Sequence, residues 1–115
     1  MKALSLKGPW ASKILNGEKT IETRTWKTGH RGPLLLCASK KPDSPIAGHA
    51  FAMCNLVDVV PMTSEHERDA CCRVYPGAWA WILEDVTPIC LFRVKGMPGL
   101  YDVPDEKITP REEYI

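Results

Sequence analysis

Apolar and polar residues alternate in short blocks along this chain, and the blocks predict a small β-rich domain. Lys2 to Leu6 alternates and reads as a first strand. Gly8-Pro9 interrupts it, and Pro9 suits a first helical turn, where its missing N–H costs nothing. Ala11, Ile14 and Leu15 then recur at helical spacing, with Trp10 beside Ile14 on the same face, and Asn16-Gly17 is a helix stop. Thr20 to Trp26 is rich in β-branched residues and predicts a strand. Its alternation places Glu22, Arg24 and Trp26 on one face and Ile21, Thr23 and Thr25 on the other. Pro33 to Ala38 is a continuous apolar run, the pattern of a central strand buried on both faces. Ser39 to Pro45 reads as a loop, and His49 to Val60 as a long strand with Phe51, Met53, Val57 and Val59 on one parity, ended by Pro61. Ser64 with Glu67 three residues on has capping-box spacing and predicts a helix running toward Cys72. Pro76-Gly77 is a turn, and Ala78 to Glu84 and Ile89 to Val94 read as two further strands separated by Asp85 to Pro88.

The sum is a mainly β fold with short helices (α+β), mostly antiparallel, arranged as a small open β-barrel in a single domain. That domain is expected over residues 1–103. Residues 104–115 turn polar and are expected to form a tail or a docked segment, with Tyr114-Ile115 as its anchor.

Composition narrows the class. The 115 residues are 44% apolar and 25% charged, an ordinary balance for one globular domain. No apolar run approaches the ~20 residues that span a bilayer, and the first residues lack a secretory pattern, so a cytoplasmic chain with no membrane partner is expected. The five cysteines are an odd count without framework spacing, which predicts reduced thiols. Cys37, Cys54 and Cys90 lie in apolar runs and read as small core residues. Cys71-Cys72 with His66 lacks the paired spacing of a zinc site, so neither a metal nor a cofactor is expected.

The net charge of +1 hides an asymmetry. Residues 1–45 hold nine lysines and arginines against three acids, and the remainder of the chain is net acidic. Such polarity points to an anionic partner approaching the first half. The densest chemistry is Gly17 to Arg24, where a Lys, a Glu and an Arg fall within six positions directly after the helix stop. Lys19, Arg24, Lys27, Arg31, Lys40 and Lys41 are candidates to contact phosphates, and Trp10 and Trp26 are candidate stacking platforms. Glu22 changes the picture: a carboxylate repels phosphate but accepts from an exocyclic amine, so with Lys19 and Arg24 it points to a pocket for a nucleobase or nucleotide.

Gly17, Lys19, Glu22 and Arg24 form G-x-K-x-x-E-x-R, preceded by Pro9-Trp10-Ala11-Ser12 and followed by Arg31-Gly32-Pro33-Leu34. Further blocks are Ala78-Trp79-Ala80-Trp81-Ile82-Leu83-Glu84, Val94-Lys95-Gly96 and Gly99-Leu100. This ordered set resembles the ASCH domain, named for activating signal cointegrator homology and grouped with the PUA-like folds. The resemblance implies a PUA-like barrel, and with the site residues it points to binding of RNA or a nucleotide derived from it; single-stranded DNA is the alternative nucleic-acid partner. Some relatives are amidohydrolases on N4-acylated cytidine, thought to use the motif Lys, a Thr nucleophile and a Glu from elsewhere. Others have been proposed to be ribonucleases. In this chain the position aligned with that Thr is Glu22, so a hydrolase reading makes Lys19 and Glu22 the catalytic pair, with Glu65, Glu67 or Asp69 as a second carboxylate. A third reading, implied by the family name, is a protein-interaction module of the coactivator type.

Overall fold

In the computed structural model, which describes residues 1–111, six strands form one curled sheet that makes an open half-barrel. They are β1 (Lys2–Leu6), β2 (Ile21–Arg24), β3 (Gly32–Ala38), β4 (His49–Pro61), β5 (Trp79–Arg93) and β6 (Leu100–Asp102), in the order β2-β5-β4-β3-β1-β6. Helix α1 (Gly8–Leu15) follows β1, and the one-turn α2 (Glu67–Ala70) follows β4. All neighbouring strands run antiparallel except β1 and β3, whose parallel pairing the α1–β2 excursion permits.

The apolar run of β3 explains the layering. Leu34 and Leu36 face a core shared with Ile14 of α1, Phe51, Leu56 and Trp81. Leu35 and Cys37 face a second core with Ala50, Ile89, Tyr101 and Val103. A third cluster of Ile21, Met62, Ala70, Ala78 and Ala80 seats α2 against β2.

Four details differ from the sequence reading. β5 is one strand of 15 residues rather than two. β2 pairs only with Trp79 to Ile82, so the rest of β5 has no strand of the sheet beside it there. Pro88 can therefore stand in it without breaking a ladder, as prolines do at edges and bulges. Asp85 absorbs a bulge at φ 55°, and the β4–β5 register shifts three times. Those shifts also break the parity expected along β4, and Val57 is exposed while Leu56 and Val59 are buried. The capping residue is Thr63 rather than Ser64, its N–H donating to His66 Nδ1 at 3.0 Å, and it opens a 3₁₀ turn that leads into the short α2. Cys90 is exposed, on the open side of β5. There its N–H donates to Thr109 O at 2.9 Å, and Ile89 bridges Pro110, so Thr109 and Pro110 lie along that edge. Tyr114 and Ile115, the expected anchor, lie outside the described residues.

Burial of the two inner thiols has a consequence at high pH. It pushes Cys54 up to about 12, and Cys37 up to about 11 against a lowering hydrogen bond from Tyr101. Burial raises the Tyr101 phenol as well. A group whose folded pKa is raised adds stability that is whole below its unfolded value and is lost as pH climbs to the folded value. The melting temperature is therefore expected to fall from about pH 9 upward, and Cys54→Ala is expected to flatten part of that fall. A Cys54→Ala protein whose melting profile keeps the wild-type slope above pH 9 contradicts this assignment.

Candidate functional site

The motif is aimed by the end of α1. Asn16 closes the helix, Gly17 takes φ +87°, and the chain doubles back so that Lys19 N–H reaches Lys13 O at 3.1 Å. Thr20 is then fixed on both sides, donating to Asp69 O at 2.9 Å and accepting from Leu83 N at 3.1 Å. This reversal turns Lys19 inward. Its side chain is 2% exposed, a rare place for a lysine, and Glu22 is nearly as buried.

Burial on that scale requires compensation, and it is present. Lys19 Nζ donates to Ala70 O at 2.5 Å, lies 3.5 Å from Glu22 Oε1, and faces the Trp10 ring at 5.0 Å from its centroid. Glu22 Oε1 also accepts from Thr23 N at 3.1 Å. Glu22 Oε2 accepts from Arg24 Nε at 3.2 Å and Nη2 at 2.9 Å. Arg24 Nη2 reaches further, to Ser5 O at 2.7 Å. β2 and β1 are separated by three strands in the sheet, so Arg24 bridges the mouth of the half-barrel.

The bridge walls a cavity of about 440 Å³. Lys19, Glu22 and Arg24 share it with Trp10, Lys7 and Ser39, and with Thr23, Cys72 and Tyr75 on the α2 side. Lys19 is its floor, whereas Lys7 is exposed and Arg24 is about one quarter exposed, so those two meet an incoming ligand first. The residues lining it include three cations and one carboxylate, whose two oxygens are already engaged by Lys19 and Arg24. A bound anion is the charge this arrangement suits.

Several expected site residues stand elsewhere. Trp26 lies past the end of β2, stacked edge-on against Trp81 with centroids 4.8 Å apart, and does not line the cavity. Lys27 sits over Trp79, and Arg31 pairs with Asp58 at 3.3 Å. Lys40 borders an adjoining concavity rather than this one. Of the carboxylates considered as partners for Glu22, Glu67 accepts from Val74 N at 2.8 Å, and none of Glu65, Glu67 and Asp69 lines the cavity. Thr23, expected to face away by parity, also lines the cavity, where its hydroxyl accepts from Tyr75 Oη at 3.0 Å on the α2 side. Tyr75, Cys72 and Lys7 were not singled out for the site. Tyr75 and Cys72 are about 50 positions from the motif and arrive only through the packing of α2 on β2. Lys7 carried a signal, being a cation at the β1–α1 junction of the basic half. Among the described residues no three His, Cys, Asp or Glu side chains gather as a metal site requires.

The open half-barrel with two short helices is the architecture of PUA-like domains. Within that class the chain belongs to the ASCH domain family, whose model matches residues 4–92. Over 42 residues it is 48% identical to activating signal cointegrator 1 of Homo sapiens and equally to that of Mus musculus. That stretch is 36% of this chain but 7% of either relative, so the chain matches a small part of those proteins. Among solved structures it is similar to the crystal structure of ASCH from Zymomonas mobilis, with a TM-score of 0.71 and 17% identity over 92% of this chain and 89% of that one. A variant of the same protein with one tyrosine replaced by phenylalanine gives 0.67 and 16%, over 92% and 91%. At such identities the likeness concerns the fold. No helix among the described residues is long and apolar enough to cross a membrane.

Proposed function

We propose that this ASCH domain binds RNA, seating a nucleotide in the cavity at the mouth of the half-barrel. One observation carries the reading: the motif side chains converge, with an indole, on a single concavity that holds more positive than negative charge. Arg24 and Lys7 meet the phosphate, Lys19 contributes its field from the floor, and the partly exposed Trp10 offers a surface for a base. Three hydrogen bonds and the Lys19 ammonium 3.5 Å away hold Glu22 as an ion-paired carboxylate, which supports binding over hydrolysis, because cations on both oxygens weaken it as a general base. None of the large exposed apolar side chains, Val57, Val74, Leu91 and Met97, belongs to the motif cavity, so the cavity itself favours a polar ligand over a docked apolar face.

The test measures retention and product together, using labelled single-stranded RNA, the matching DNA, and N4-acetylcytidine. Retention of RNA without product is expected, with affinity falling as salt rises by a logarithmic slope of about −0.7 per phosphate contacted. Binding that ignores salt, or turnover of either substrate without retention, overturns the reading.

A further inference from the structure

The motif cavity does not end at its own walls. Ser5 and Ser39 line it and also line a second concavity of about 450 Å³. Lys40, Gly48, Val94 and Lys95 in turn line both that one and a third of about 490 Å³, which Arg93 and His49 complete. Each alone falls within the range of ~300–1,000 Å³ that takes one small molecule, so a single nucleotide fills one of them and leaves two.

The floor of this track is hydrogen-bonded backbone. Ser39 N–H donates to Leu6 O at 2.7 Å, Gly48 N–H to Ala38 O at 2.8 Å, and Val94 N–H to Gly48 O at 3.0 Å. At the seam between the first two concavities, Gly96 brings its loop against β1 so closely that a Cβ there would lie 3.0 Å from Ser5 Oγ. The glycine therefore sets Lys95 at the rim.

Charge is continuous along the same line. Lys7 and Arg24 stand at the first concavity, Lys40 and Lys95 over the second, and Arg93 joins them at the third. Lys7, Lys40, Arg93 and Lys95 form no ion pair among the described residues, whereas Lys2, Lys13 and Arg31, away from the track, each pair with an acid. The carboxylates along the track are Glu22, held by Lys19 and Arg24, and Asp43 at the far end. Arg93 and Lys95 come from the acidic half of the sequence, so the track is assembled by the fold.

We propose that the ligand is a single-stranded RNA of several nucleotides, whose backbone leaves the motif cavity past Ser5 and Ser39 and runs over Lys40, Lys95 and Arg93. This rests on the nucleotide reading of the motif cavity and extends it from one nucleotide to a chain. Unpaired cations along a preformed groove are what a phosphate backbone requires, and small OB-fold barrels that track a single strand this way engage roughly four or more nucleotides.

The experiment compares binding of a dinucleotide and an octanucleotide RNA to the wild-type protein and to an Arg93→Gln/Lys95→Gln double variant. Wild type is expected to bind the octanucleotide at least tenfold more tightly and with a steeper salt slope. In the double variant the ratio of the two affinities falls about tenfold, and the octanucleotide slope becomes shallower by about 0.7 for each contact removed. Lys40→Gln, from a different loop, reads the same ratio independently. Equal affinity for the two lengths in wild type, or an unchanged ratio in the variants, overturns the track while leaving the motif cavity standing. No binding of either length to wild type overturns both.

Discussion

Replacing Glu22 by glutamine is expected to lower the melting temperature by about 10 °C or more while leaving the protein able to bind a polyanion. The amide keeps the shape and an acceptor for Thr23 N–H, but it cannot neutralise the two cations that now share the carboxylate. Lys19 is then a charge at 2% exposure with a carbonyl and an indole face as its remaining partners. Breaking a buried pair from one side costs about 3–5 kcal/mol, and partial exposure of Arg24 argues for the lower end. For a domain near this size, each kcal/mol is worth about 4–8 °C. The cavity meanwhile loses its carboxylate, so RNA affinity at low salt is expected to hold or rise. Thermal melts beside binding isotherms check both halves. A shift under about 2 °C would place Glu22 among solvated ion pairs worth less than ~1 kcal/mol, and the buried triad would lose its role.

The sequence conveyed the motif's convergence more fully than the cavity's remaining walls, for a physical reason. β-strand parity is local, so Glu22 and Arg24 on one face of β2 could be read directly. The two-faced burial of β3 was equally local, because the five consecutive apolar residues Leu34 to Ala38 have no solvent side to offer. The rest depended on which segments meet. Tyr75 enters the cavity because α2 packs on β2, and nothing near Tyr75 in sequence announces that. Trp26 was read on the motif face by continuing the alternation past Arg24, but the strand stops there and the indole packs on Trp81. The Asp-Val-Thr-Pro stretch of β5 carries strong breaker signals, which an open edge neutralises. β6, three residues long, is too short to show a period at all. The exposure of Cys90 follows from that same open edge.

Arg24 is where fold and site meet, and two substitutions there separate its charge from its shape. Arg24→Gln removes the bridge from β2 to Ser5 O and the paired contacts to Glu22, and leaves Glu22 with Thr23 N–H and, as its one cation, Lys19 at 3.5 Å. A hydrogen bond to a charged group is worth about 1.5–3 kcal/mol, and about 1.4 kcal/mol is tenfold in affinity. RNA affinity is therefore expected to fall about 10- to 100-fold, with a shallower salt slope. Arg24→Lys restores the charge without the fork. One ammonium on a flexible stem cannot hold a carboxylate through two nitrogens and also reach a carbonyl on the opposite side of the mouth. Its salt slope should match wild type while affinity stays about tenfold down, because the phosphate count is kept and the preorganised geometry is lost. If long-range charge alone attracted the ligand, Arg24→Lys would bind like wild type. If Arg24 served only to close the barrel, both variants would melt early yet bind normally at a temperature where they remain folded. Isotherms at three salt concentrations, taken well below each variant's melting point, separate these outcomes. Wild-type affinity in Arg24→Gln would remove the motif cavity from RNA recognition.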